Sequence, residues 1–334
     1  MSGPVVFEGS ILARGPVTGV GGSFLTTLRA YTEIASQEMV LLLPQGVPSP
    51  ELPGLRVLPA PRGSLSKQVR LPLALRRLRP RVLHSPVAAL PLGASCPMVA
   101  TVHDMPWMSA DRCGEGRALR ARWAVRVASR RARAILVPSQ ATRRDLLAFA
   151  GTKLATRVQL VPHGVEKPEE PAPEGELQGP FLILGDDRPR KNHDRLRRAH
   201  QHALTTEPDL PDLRFVGPPH AYVGEREKWR LLRQSRALLY PSLFEGFGLP
   251  VLEAMAHGVP VLCTNRSSLP EVAGDAALSV DPEDENALAQ AMIRIHRDDR
   301  LREELRARGL ERASEFTPLR AARAWLHIHE EVGR

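Results

Sequence analysis

The stretch YPSLFEGFGLPVLEAMAHG, residues 240–258, decides how the rest of the chain is read. An apolar run ends at Tyr240, a loop carries Glu245, Gly246, Phe247 and Gly248, and a helical segment, Leu249–His257, has Pro250 in its first turn. Proline is tolerated there, because the N–H it lacks has no partner inside the helix. A strand, a glycine loop and a helix start together suit an anion. Glycine lets the backbone come close to a ligand, and the first N–H groups of the helix point toward it. Glu245 stands just before the helix and Glu253 about one turn inside it, so two carboxylates can reach different parts of one extended ligand. The plainer alternative is a capping glutamate beside a solvated one.

Outward from this stretch the same plan repeats. After residue 180 the expected strands are Phe181–Leu184, Leu213–Val216, Ala237–Tyr240, Val259–Cys263 and Leu278–Val280. The expected helices between and after them are His193–Ala203, Glu225–Ser235, Leu249–His257, Asp284–His296, Asp298–Glu315 and Pro318–Val332. Before residue 166 the strands are Val5–Phe7, Met39–Leu43, Val82–His84, Met98–His103, Ala134–Pro138 and Val158–Val161. Helices are expected there near Ser23–Ile34, Ser64–Leu78, Gly116–Arg131 and Gln140–Ala150. Apolar strands that do not alternate, interleaved with helices, predict parallel sheets covered on both faces. Between the halves, EKPEEPAPEGELQGP at 166–180 has four prolines and five glutamates, which reads as a linker.

Composition narrows the class. A length of 334 residues suits two domains, and 43% apolar with 25% charged residues excludes a disordered chain. Cys96, Cys113 and Cys263 form no CxxC pair, so a zinc ribbon is excluded and a reducing compartment is expected. The longest aliphatic run, Met39–Leu43, is far short of the ~20 residues that span a bilayer. Glu8 and Arg14 interrupt the start, so no signal peptide is expected, and the location is read as cytoplasmic. Residues 1–165 hold 22 basic and 8 acidic residues, a net of +14, and the remainder holds 24 and 29, a net of −5. The basic half either meets an anionic partner or is simply rich in arginine.

Other stretches carry chemistry. FLILGDDRPRKN, residues 181–192, reads as a strand, a turn at Gly185 and a basic cluster before a helix. GPVTGVGG, residues 15–22, reads as a glycine loop between the first strand and the first helix, and most such loops are only turns. His103 closes an apolar strand, where a histidine is more often structural than functional. No zinc helix, serine elbow, Walker loop or spaced Asp-x-Asp pair occurs, so a metal-free site is expected.

Taken together, EGFG with Glu245 and Glu253, VPVLCTNRSSLPEVAGDAALSVDP (259–282), VPSQATRRDLL (137–147), VPHGV (161–165), RKN (190–192) and TVHDMPW (101–107) resemble family 4 glycosyltransferases, retaining enzymes of the GT-B fold. The resemblance covers most of the chain and keeps the family's order. It implies an α/β GT-B fold with two Rossmann-like domains facing a central cleft. Residues 1–165 would bind the acceptor, 166–180 would link, 181–315 would bind a nucleotide sugar, and the helix in 316–334 would pack back on the first domain. By the same resemblance Glu245 meets the hexose hydroxyls and Glu253 the ribose. Amides of Gly246, Phe247, Gly248 and Leu249 hold sugar and phosphates. Lys191, with Arg190 or Arg188, meets the diphosphate, Gly21 and Gly22 face the reaction centre, and His103 touches the transferred sugar. Lys191, Glu245 and His103 would be the catalytic set. The sequence departs from the common pattern at Asp186, where many relatives carry arginine, and that keeps open a silent GT-B subunit that binds a partner enzyme. An epimerase or phosphorylase of the same fold is the other alternative.

The implied reaction is retaining, metal-independent hexosyl transfer with no cofactor. The donor is a nucleotide sugar, GDP-mannose favoured, and the acceptor a glycan, a lipid-linked glycan or a small molecule. Too few aromatics, 4%, and no binding motif speak against nucleic acid. In ALRARWAVRVASRRARA (118–134), Leu119, Trp123, Val127 and Ala128 are read as a stripe facing the sheet. Contact with an anionic membrane through this basic helix is the competing reading.

Overall fold

The computed structural model describes residues 3–13, 19–60, 64–109, 118–168, 178–220 and 223–334. The chain divides into unit 1, Met1–Gly164 with Pro318–Arg334, and unit 2, Val165–Thr317.

Unit 1 begins with β1 (Val5–Glu8), α1 (Val20–Ile34), β2 (Met39–Pro44), β3 (Leu55–Ala60) and α2 (Ser64–Leu78). It continues with β4 (Val82–Ser85), β5 (Met98–Thr101), α3 (Ala118–Arg131), β6 (Ala134–Val137), α4 (Gln140–Ala150) and β7 (Val158–Leu160). The strands form one seven-stranded sheet in the order β3-β2-β1-β4-β5-β6-β7, and all its pairings are parallel. β1, β2, β4, β5 and β6 are buried at every position, as their unbroken apolar runs require. α2, α3 and α4 cover one face of the sheet, and α1 the other. Ser139 caps α4, accepting from the Thr142 N–H at 3.0 Å.

Unit 2 contains β8 (Phe181–Leu184), α5 (His193–Leu204), β9 (Leu213–Val216), α6 (Glu225–Gln234), β10 (Ala237–Tyr240) and α7 (Leu249–Ala256). After these come β11 (Val261–Thr264), α8 (Leu269–Ala273), β12 (Leu278–Val280), α9 (Glu285–Arg297) and α10 (Asp299–Ser314). Its five strands run parallel in the order β12-β11-β10-β8-β9. α5 and α9 pack on one face and α6, α7 and α8 on the other.

The last helix, α11 (Pro318–Val332), packs on α1 in unit 1. Trp325 lies 6.0 Å from Phe7, ring to ring. A buried polar chain fastens the helix. Gln37 donates to the Tyr31 oxygen at 2.6 Å, Tyr31 donates to His329 Nδ1 at 2.9 Å, and His329 Nε2 lies 3.1 Å from His84 Nδ1. With the tyrosine proton committed to Nδ1, the His329 proton sits on Nε2 and is donated to His84.

Three expectations change. β3 was not expected: Pro59 and an exposed Arg56 break its apolar run, which is tolerable only because it is an edge strand. α1 starts at Val20, so Gly21 and Gly22 lie in its first turn, and residues 15–18 of the glycine stretch lie outside the described residues. In α3, Val125, Val127 and Ala128 face the core, whereas Leu119 and Trp123 point away from it, being 83% and 51% exposed. The stripe read from sequence therefore joins two different faces. Most of the 166–180 linker, residues 169–177, also lies outside the described residues.

Candidate active site

In unit 2 the chain passes from β8 to β9 on one side and returns to β10 on the other. At such a reversal the loops leaving the two strands separate and open a crevice at their carboxyl ends. Here those loops are Gly185–Asn192, after β8, and Pro241–Gly248, after β10.

Lys191, buried, donates to the Tyr240 hydroxyl at 2.6 Å and to Glu245 Oε1 at 2.7 Å. Arg190 Nη1 lies 3.2 Å from Glu245 Oε2 and donates to the Phe244 carbonyl at 3.0 Å. Burial alone would push the Glu245 carboxyl up, but the Lys191 and Arg190 charges outweigh it and hold the pKa at about 2. Burial pulls the Lys191 ammonium below the ordinary lysine range, with Glu245 opposing it. The Glu245 backbone is fixed too. Its carbonyl accepts from Ser268 Oγ at 2.9 Å, and the same hydroxyl lies 2.9 Å from the Phe247 carbonyl. Gly248, with φ of 106°, turns the chain into α7 in a conformation side chains resist.

Asn192 holds the basic loop in place. It adopts a left-handed conformation, φ 59°, and its amide donates to the carbonyls of Pro241 at 3.2 Å and Pro282 at 2.9 Å. The acids after Gly185 are already partnered. Asp186 pairs with Arg188 at 2.8 Å, and Asp187 with His193 at 2.8 Å. Arg188 thus serves Asp186 here, and Arg190 is the arginine that joins Lys191 on Glu245.

Glu253, on α7, accepts from Lys228 Nζ of α6 at 2.9 Å. Burial raises its pKa despite that ammonium. Lys228 in turn lies over the Trp229 ring at 3.8 Å, and Trp229 stacks on His257 at 4.6 Å. Glu207, Asp209 and His296 bring three potential metal ligands within 4.8 Å of one another, but Arg297 pairs with Glu207. Glu207 and Asp209 precede β9 and His296 stands in the last turn of α9, away from the carboxyl ends of the strands.

In unit 1, His103 follows β5. Its Nε2 lies 2.7 Å from the Pro86 carbonyl, which can only accept, so Nε2 carries the proton. Nδ1 then accepts from His163 Nε2 at 3.2 Å, and His163 Nδ1 accepts from the Ser23 hydroxyl at 2.8 Å. Burial lowers the His103 pKa to about 4 and, with the neighbouring His103, that of His163 to about 3. Ser23 follows Gly22 in α1, so this chain connects the glycine-bearing helix start to His103. The three residues line a cavity of about 20 Å³, roughly the room of one water.

Sequence reasoning had singled out Lys191, Arg190 and Glu245, and these three meet. It gives no sign of Tyr240, Ser268, Lys228, Ser23 and His163 as partners. VPHGV and the Tyr240 strand end were in view, but nothing in the spacing of residues 49 or 140 apart announces contact.

Comparison with known proteins bears on the family and the fold. The family model described as Glycosyltransferase Family 4 matches residues 27–167, and that for Glycosyl transferases group 1 matches 219–312. Together they cover about seven tenths of the chain. O-antigen chain mannosyltransferase B of Escherichia coli is 46% identical over 105 residues, 31% of this chain and 26% of that protein. Sucrose-phosphate synthase of Zea mays is 32% identical over 144 residues, 40% of this chain and 13% of that protein. The chain therefore spans about a quarter or less of these curated relatives. Sucrose-phosphate synthase from Thermosynechococcus elongatus superposes with a TM-score of 0.77 at 16% identity over 99% of both chains, which shows the shared GT-B fold.

Proposed function

Because this chain belongs with the GT-B glycosyltransferases of family 4 and group 1, we propose that it moves a hexose from a nucleoside diphosphate sugar to an acceptor hydroxyl. The carrying observation is the Lys191–Arg190–Glu245 cluster at the β8/β10 reversal of unit 2, with Glu253 a helix turn away. In this reading Glu245 accepts from hexose hydroxyls and Glu253 from the ribose. Lys191 and Arg190 face the diphosphate, with the amides of residues 246–249 beside them.

The bond between the anomeric carbon and the diphosphate oxygen breaks with its electron pair on the diphosphate. The acceptor oxygen bonds to the anomeric carbon on the same face, and its proton passes to the departing diphosphate oxygen, so no protein base or metal is required. Lys191 stabilises the charge that grows on the leaving group, and it does so without reorganising, because Tyr240 and Glu245 already fix it. His103, kept neutral by burial, is proposed as an uncharged contact to the sugar beside the Gly21–Gly22 helix start.

Mannose is the favoured sugar, supported by the mannosyltransferase relative at 46% identity. A lipid-linked acceptor would bring the enzyme to an anionic membrane surface from one side. Among the described residues no helix is long and apolar enough to cross a membrane.

A melting-temperature panel with GDP, UDP, ADP and dTDP, with and without magnesium, tests the reading. Nucleotide at ~100 times its dissociation constant stabilises by about 2.7 kcal/mol, a shift of several degrees. A shift with GDP that ignores magnesium is expected. A shift with UDP alone would sink the mannose assignment, and no shift with any nucleotide would leave the silent-subunit alternative standing.

A further inference from the structure

We propose that Ser268, just before α8, is a positioning residue for the diphosphate: by holding two carbonyls of the loop after β10, it turns the Gly246 and Gly248 amides toward Lys191 and Arg190. The proposal rests on the transfer reading above and adds to it the residue that sets the direction of those donors. β10 lies between β11 and β8 in the sheet. The loop that leaves it, residues 241–248, therefore has the end of β11 on one side and the basic loop 185–192 on the other. Its peptides are trans. A trans peptide points its C=O and N–H in opposite directions, so a carbonyl drawn to one side sends the next residue's N–H to the other.

The loop obeys this rule twice where both groups of a peptide have named partners. The Ser242 carbonyl accepts from Thr264, at the end of β11, at 2.6 Å, and the Leu243 N–H donates to the Arg190 carbonyl on the opposite side at 2.8 Å. The Phe244 carbonyl accepts from Arg190 at 3.0 Å, and the Glu245 N–H donates to Ser267 Oγ, back on the β11 side, at 3.3 Å. Ser268 governs the next two peptides. Its Oγ is 2.9 Å from the Glu245 carbonyl and 2.9 Å from the Phe247 carbonyl, so one hydroxyl proton is shared between them. Both carbonyls are thus drawn to the β11 side, and the N–H groups of Gly246 and Gly248 turn to the β8 side. There Lys191 and Arg190 converge on Glu245. Two amides that face one way beside two cations form a concave donor set for an anion. Ser268 is itself fully buried, and Leu269 after it packs under Gly248, where a Cβ would stand 2.6 Å from Leu269 Cδ2.

The test compares GDP with guanosine, and UDP with uridine, in NMR titrations of the full chain. Ser268→Ala is expected to weaken the bound diphosphate about 10- to 100-fold, the loss of one hydrogen bond to a charged group, and to leave its nucleoside unchanged. A serine that only supported the fold would weaken both ligands alike. Ser268→Thr keeps the hydroxyl and is expected to restore the diphosphate. Ser268→Cys, close to serine in size but a weak donor, gives the same contrast if the alanine variant loses its fold. In wild-type protein with labelled glycine, the Gly246 and Gly248 amide protons should move downfield as the diphosphate binds. An equal loss for diphosphate and nucleoside, or unchanged diphosphate binding in a folded variant, overturns the proposal and leaves the transfer reading standing. A wild type that binds neither GDP nor UDP overturns both.

Discussion

Two polar chains in unit 1 run through neutral rings, Ser23–His163–His103 and Tyr31–His329–His84, beside a buried ion pair, Glu8 with Lys67. The candidate site of unit 2 is built on ions instead, Lys191 and Arg190 on Glu245 and Lys228 on Glu253. Both arrangements satisfy buried groups, but they answer differently to protons and to substitution. A neutral histidine chain is stable only while every ring stays uncharged. A buried ion pair is stable only while both partners are present.

Acid separates the two units most sharply. His103, His163 and His329 have folded pKa values of about 4, 3 and 3, below the ordinary 6.5, with burial as the first cause in each. The unfolded chain therefore binds more protons below pH 6.5, and stability falls from there down toward the folded values. At pH 5 the loss is roughly 2 kcal/mol for one such ring taken alone. Glu245 loses stability in the same direction but at lower pH: its stabilisation is complete above the ordinary 4.5 and is lost only as pH falls through about 2. Amide exchange at pH 7 and pH 5 should show unit 1 losing more protection than unit 2, where burial lowers the pKa of His193 and His257 as well. An equal loss of protection in the two units would break the comparison.

Removing an ion probes the other side. Lys191→Ala is expected to cut turnover about 100- to 1000-fold, the usual cost of deleting one fixed electrostatic stabiliser. It also leaves Glu245 and Tyr240 without their shared ammonium, at a cost of about 3 kcal/mol in stability. Initial rates with the preferred donor, alongside denaturant melts, measure both. Near-normal turnover would remove Lys191 from the proposed mechanism.

The contrast between the units was only partly legible in the sequence. The parallel strands were readable because buried runs such as MVLLL need no alternation, and Lys191, Arg190 and Glu245 stand beside strand ends that carry turn chemistry. β3 was not readable, since an edge strand with proline looks like loop. The outward face of α3 was misread because helical spacing alone does not say which apolar residues meet the sheet. Nor did any local pattern separate His163 from a loop histidine, or link Lys228 to a glutamate 25 positions away. Sequence shows which groups are present, and tertiary contact decides which of them are neutral and which are paired.

A smaller effect is expected where unit 1 is held by a single hydroxyl. Tyr31→Phe keeps the ring packing against Phe7 and Trp325 but leaves His329 Nδ1 and the Gln37 amide without their partner. The expected cost is about 1–3 kcal/mol. It should appear in a denaturant melt of the variant as a lower midpoint with an unchanged slope, and an unchanged midpoint would show that α11 is held by packing alone.

The smallest predicted effect is the most specific, because it asks what Lys228 does for Glu253. Burial already raises the Glu253 pKa, and the ammonium at 2.9 Å is the main influence holding it down. Lys228→Met keeps much of the aliphatic stem and removes the charge, so the Glu253 pKa should rise further. A carboxylate accepts hydrogen bonds from two ribose hydroxyls, whereas a carboxylic acid gives up part of that capacity to its own proton. Nucleotide binding by the variant should therefore weaken as pH falls, and should do so at a higher pH than in the wild type. The two titrations need only the nucleotide, so the result does not depend on knowing the acceptor. If both proteins show the same pH dependence, Lys228 is not what keeps Glu253 ionised, and the pairing of the two would be packing rather than electrostatic support for the ribose.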